Sequence, residues 1–211
     1  MCCILVIQTF TSVLIEKLKQ EIMKSKLSSI NFALIMLLLI TAGCNSGNRK
    51  DTEGEKSLAK VPETDIHTTV VIGDLSAINQ HIAAGTDLNS IEPTGGSTAL
   101  ITAVVLGKSE IAIALIEGGA DLNISNNDGS TALYCAAFFG RTDLVKVLLE
   151  KGADKNIRNN FGTTALESVS VPFDSIKGIY DQISKDMGPL GLKLNYEKLQ
   201  EARIEIASLL K

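Results

Sequence analysis

Gly96, Gly129 and Gly162 stand 33 residues apart, and Thr98, Thr131 and Thr164 keep the same interval. Gly107 recurs at Gly140, the triplet Gly119-Ala120-Asp121 at Gly152-Ala153-Asp154, and Asn123 at Asn156. One unit earlier, Ile66, Gly73, Gly85, Asp87 and Asn89 lie 34 places before Leu100, Gly107, Gly119, Asp121 and Asn123, the odd residue falling at the Gly95-Gly96 doublet. Units this short cannot bury an apolar core singly, so they must stack, each on its neighbour. The array opens near Thr64.

Within one unit the residues predict two short helices. Thr131 precedes Ala132-Leu133, so its hydroxyl can cap the free N–H groups of a first turn. Ala136 and Ala137 keep that helix thin enough for close approach, and Gly140 can take the left-handed conformation that ends it. Leu144, Val145, Leu148 and Leu149 then form the buried stripe of a second helix, which Gly152 stops. The stretch leading to the next unit is polar and turn-rich, as a projecting finger requires.

This period, with these residues, resembles the ankyrin repeat. The resemblance covers Thr64 to Leu166 and, loosely, a closing helix; it implies an all-α solenoid of about four helix-turn-helix repeats. Ala99 and Ala132 replace the family's proline but remain good helix formers. In the first unit Asp65-Ile66-His67 departs from the pattern, as terminal units do. His67 stands where the family has its own histidine, which implies a residue tying down the turn. His81 aligns with Leu115 and Leu148 and is expected to lie semi-buried under the terminal repeat.

The fourth unit begins normally at Phe161-Gly162-Thr163-Thr164-Ala165-Leu166 and departs at Val171-Pro172. The expected sequel to Val145 reappears only at Ile206, which implies 28 inserted residues, with the stretch of about 172–195 departing from the repeat pattern. Ile176, Ile179, Tyr180 and Ile183 fall on one helical face behind a cap at Asp174, and Gly188-Pro189-Leu190-Gly191 breaks that helix. Asn195 can cap the closing helix. The insertion is expected to cover the apolar face of the last repeat; the alternative is a dedicated partner site.

Residues 23–43 read as an export signal. Lys24 and Lys26 precede an apolar run of nine, Phe32 to Ile40, and small residues before Cys44. They look like a bacterial lipoprotein signal with a lipobox, although Thr41 stands where such boxes usually carry Leu. The run is short of the roughly 20 residues that span a bilayer, so cleavage and lipidation at Cys44 are expected. Residues 1–22 fit neither leader nor repeat, which points to translation starting at Met23; the alternative is an extra N-terminal segment with Cys2 and Cys3 near the membrane. Cleavage at Cys44 removes four lysines and two glutamates, taking the formal charge from −4 to about −6. Cys44 and Cys135 are the cysteines left, and with Cys44 lipidated no internal disulfide can form. Asn45, where Asp is the usual inner-membrane retention signal, favours the outer membrane facing the periplasm. Residues 44–63 are expected to be a flexible tether and 64–211 the repeat domain.

Little here suggests chemistry. A clustered basic surface is missing, which argues against nucleic acid. Phosphate-loop, nucleophile-elbow and zinc-spaced patterns are missing too, so no cofactor, metal or small-molecule substrate is expected. Asp65 with His67 can imitate an acid/base dyad, and Cys135 is a possible nucleophile, but an inner-helix cysteine is expected to be buried structure. The stronger signal is the pair that follows each Ala-Ala step: Val71-Ile72, Val105-Leu106, Phe138-Phe139 and, past the departure, Val171-Pro172. The resemblance implies that these positions face the concave surface, where a merely solvated face would be polar. With the finger residues Thr94, Asn127, Asp128 and Asn160 they form the expected contact surface for a protein partner, in a protein held to the membrane by lipid at Cys44. An inhibitor or immunity protein that occludes an enzyme is the alternative within binding. An enzyme using Asp65, His67 or Cys135 is the alternative outside it.

Overall fold

The computed structural model describes residues 61–211; the leader, Cys44 and the tether up to residue 60 lie outside the described residues. Four inner helices run through the stack: α1 (Ile66–Ile72), α3 (Ala99–Leu106), α5 (Ala132–Phe138) and α7 (Ala165–Ser170). Outer helices α2 (Leu75–Ala83), α4 (Ser109–Glu117) and α6 (Thr142–Glu150) back the first three. Each inner helix packs on the next inner helix and on its own outer partner, and each outer helix on the next. The expected all-α solenoid of four units is therefore the observed fold.

Its local causes repeat with its sequence. Thr98 and Thr131 accept from the backbone N–H groups of Ile101 and Tyr134. Thr164 forms a full capping box with Glu167. At the first unit Asp65 takes the capping role, one residue late, and the carbonyl of Thr64 receives Nε2–H of His81 at 2.9 Å. His81, whose Nδ1 meets the Thr86 hydroxyl at 3.1 Å, is fully buried rather than semi-buried. Gly73, Gly107 and Gly140 end their inner helices with φ of 89°, 69° and 66°, where a Cβ would strain the backbone. Ala136, Ala137, Leu144, Val145 and Leu148 have no solvent exposure, while Leu149 is half-buried.

The fingers are held by two side-chain ladders. Asn126 Oδ1 accepts from the N–H groups of Asp128 and Ser130, and Asn159 Oδ1 from those of Phe161 and Thr163. Glu92 does the same for Thr94, Gly95 and Ser97. Its one extra methylene lets it span the turn lengthened by Gly95-Gly96. On the opposite loops Asn89 and Asn123 accept from the N–H groups of Asp121 and Asp154 in the following unit, which explains the repeating asparagine.

The insertion forms α8 (Phe173–Met187), a 3-10 turn at Gly188–Leu190, and a loop into α9 (Tyr196–Leu209), capped by Asn195. Pro172, not Asp174, precedes α8, and Asp174 lies in its first turn. Tyr180 and Ile183 are buried, but Ile179 faces solvent. Helix α9 packs on α7 and α6 and so fills the outer position of the fourth unit. Burial corrects its register by one residue: Ile206 and Leu210 are buried as Leu144 and Leu148 are, whereas Glu205 is exposed and Leu209 half-buried. The insertion is thus one residue longer than the sequence count, and Arg203 is the equivalent of Arg141. Where Val145 packs on a following unit, the last unit carries the half-exposed Ala207.

Candidate partner-binding surface

The six inner-helix positions of the first three units expected to face a partner separate into three groups. Val71 and Val105 are half-buried and Ile72 is 59% exposed, as a contact row requires. Leu106 and Phe139, by contrast, are only 6% and 8% exposed and belong to the core. The repeat phase is right and the open surface is not, because each following unit leans over the C-terminal end of the inner helix before it. Arg141, just before α6, lays its guanidinium over Gly107, and burial lowers its pKa.

Phe138, the expected aromatic anchor, is covered by the protein itself. The Tyr180 ring lies 4.7 Å from it at 33°. Phe173 stacks on Tyr180 at 5.7 Å, and Tyr196 closes on Phe173 at 5.8 Å. Tyr134 stacks on Phe138 from one turn back, and Phe139 meets it edge-on. The chain has six phenylalanines and three tyrosines. All three tyrosines and half of the phenylalanines meet here, so the insertion, not the repeat period, explains where the aromatic residues lie. A polar thread runs through the cluster: the Tyr180 hydroxyl donates to the Phe138 carbonyl at 2.6 Å, and Arg203 donates Nη1–H to that hydroxyl at 3.1 Å. Nη2–H of Arg203 goes to the Val171 carbonyl at the end of α7, where a cation also opposes the helix dipole. Burial pushes the Tyr180 phenol up to about 12, against the pull of Arg203.

The finger asparagines link neighbouring units. The Asn127 side chain donates to the Thr94 carbonyl and that of Asn160 to the Asn127 carbonyl, while the Asn160 backbone N–H donates to the carbonyl of Asp128. Their outer edges stay exposed. Two exposed apolar residues on the fingers lie outside the expected contact set: Ile91, 59% exposed, and Phe161, 63% exposed. Phe161 stands one unit after Asp128 and two after Gly95, so an aromatic at a turn position was the signal that marked it.

The residues considered for catalysis do not converge. The Asp65 carboxylate is committed to the hydroxyl and N–H of Thr68; burial opposes its ionisation, but these hydrogen bonds hold its pKa below the ordinary value. Burial likewise lowers His67, whose Nε2 lies 3.5 Å from the Ser90 hydroxyl. Cys135 is buried on α5, and α3 stands between it and α1. Among the described residues no three His, Cys, Asp or Glu side chains gather as a metal site.

Residues 66–159 match the family model of ankyrin repeats, in three copies. Among solved structures, the chain is similar to the ankyrin repeat domain of Bcl-3, described as a unique member of the IkappaB protein family. The identity is 27% over 49% of this chain and 45% of that one, with a TM-score of 0.48. The chain therefore spans less than half the length of that structure. No curated protein matches it.

Proposed function

We propose that this ankyrin-repeat domain is a protein-binding module whose partner lies along the inner helices and fingers, and that lipid on Cys44 holds it in a bacterial envelope, at the outer membrane facing the periplasm. The observation that carries the binding reading is the placement of exposed apolar side chains. Ile72, Ile91 and Phe161 are each more than half exposed at variable positions of three different units, and Val71 and Val105 on the inner helices are half-buried. Burying such groups stabilises a complex by roughly 1.5–3 kcal/mol per side chain, and large apolar residues at a surface centre are typical anchors. Polar groups do not converge on a common pocket here, whereas a reaction would require them to.

The test is retention of a partner from envelope extract on residues 45–211, compared with the variants Phe161→Glu and Ile72→Glu. The expected result is one protein lost with either variant while circular dichroism and melting temperature stay unchanged. A protein retained equally by all three baits would show that this surface is not used.

A further inference from the structure

Docking of the insertion takes over a contact that the preceding unit makes without it. In unit two the Val105 carbonyl, near the end of α3 and without a partner in its own helix, accepts from Arg141 Nη2–H at 3.2 Å. One unit on, the equivalents are the Phe138 carbonyl and Arg203. Here the guanidinium stops short, because the Tyr180 hydroxyl stands between them and bonds to both.

Resting on the partner-binding reading above, we propose that α8 is a displaceable internal ligand of the recognition face: its Tyr180 occupies, at unit three, the place of a tyrosine carried by a partner's amphipathic helix. The outer place of the fourth unit is held by α9, not by α8. Of the 15 residues of α8, Tyr180 and Ile183 are the buried ones, and its hold on α5 is made by side chains rather than by close backbone approach. Ile183, Leu190 and Leu192 join the core and anchor the far end, so the part that swings is the first half, from Pro172 to Gln182, pivoting at Val171, whose carbonyl keeps its bond to Arg203 Nη2. Release strands no polar group: Arg203 can reach the Phe138 carbonyl directly, as Arg141 reaches that of Val105, and the Tyr180 hydroxyl passes to water. The penalty that normally locks a buried polar contact is therefore absent. Release also bares Phe138 and its stacked neighbour Tyr134, extending the row begun by Val71 and Val105.

Two measurements test this without the partner, so failure of the capture experiment above and failure here are separate results. In hydrogen exchange on the full chain, amides of residues 174–182 should exchange about 100-fold or more faster than those of α3 and α5, through an opening that leaves the repeats closed. In fluorescence anisotropy, a labelled peptide of residues 172–187 should bind full-length Tyr180→Ala at least about tenfold more tightly than the unaltered chain, whose site is already filled. The same peptide carrying Tyr180→Ala should bind neither. Exchange of 174–182 as slow as that of α5 overturns the proposal, as does a folded Tyr180→Ala chain that binds the peptide no better than the original. Should that variant not fold, exchange on the unaltered chain decides alone.

Discussion

At the scale of single residues, Tyr180 joins packing to titration. Its hydroxyl is held between a carbonyl and a guanidinium, and burial raises its pKa from 10.0 to about 12. Between those values the folded form keeps a proton that the unfolded form has lost, so folding binds protons and stability must fall as pH rises. The contribution is complete below pH 10 and is lost on passing 12. Urea midpoints between pH 8 and 12 should therefore fall more steeply for the unaltered protein than for Tyr180→Phe, which cannot ionise there. Parallel slopes would mean that the phenol is open to water. Phe138 shows why this was hidden in the sequence. Its repeat phase marks it as a surface residue, and its partner lies 42 residues later, in a segment with no phase at all. Phe161 lies outside the expected contact set, although it is an aromatic at a position that the two preceding units fill with Gly95 and Asp128.

Among elements, the repeating ones were legible and the inserted one was not. A threonine cap, an Ala-Ala step, a glycine stop and a leucine stripe each have a local physical cause, so every unit reports itself. The start of α8 and the register of α9 depend instead on what those helices pack against. The side chain at position 207 is small and half-exposed, so it gives no apolar signal, and alignment on Ile206-Ala207 falls one residue out of register. The structure makes Leu210 the equivalent of Leu148. Leu210→Ala should cost roughly 2–5 kcal/mol as a filled core position, and Leu209→Ala about 1 kcal/mol or less as a half-buried one. Urea unfolding measures both. The reverse order would restore the register counted from sequence.

At the scale of the whole molecule, two parts with different physics share one chain. The repeats explain their own stability through stacking. Among the described residues no helix is long and apolar enough to cross a membrane. Attachment through lipid on Cys44 and attachment through a bound partner respond differently to one substitution. The basic start, the apolar run and the small residues ahead of Cys44 favour a thioether-linked lipid on that cysteine. Cys44→Ser should then move the protein from the membrane fraction and the detergent phase to the aqueous phase, or leave a precursor heavier by the uncleaved leader. Mass spectrometry of the N-terminal peptide distinguishes these outcomes. If the variant stays in the membrane fraction with unchanged mass, attachment does not run through Cys44. Loss of membrane retention on Phe161→Glu would then assign it to the partner held by the repeats.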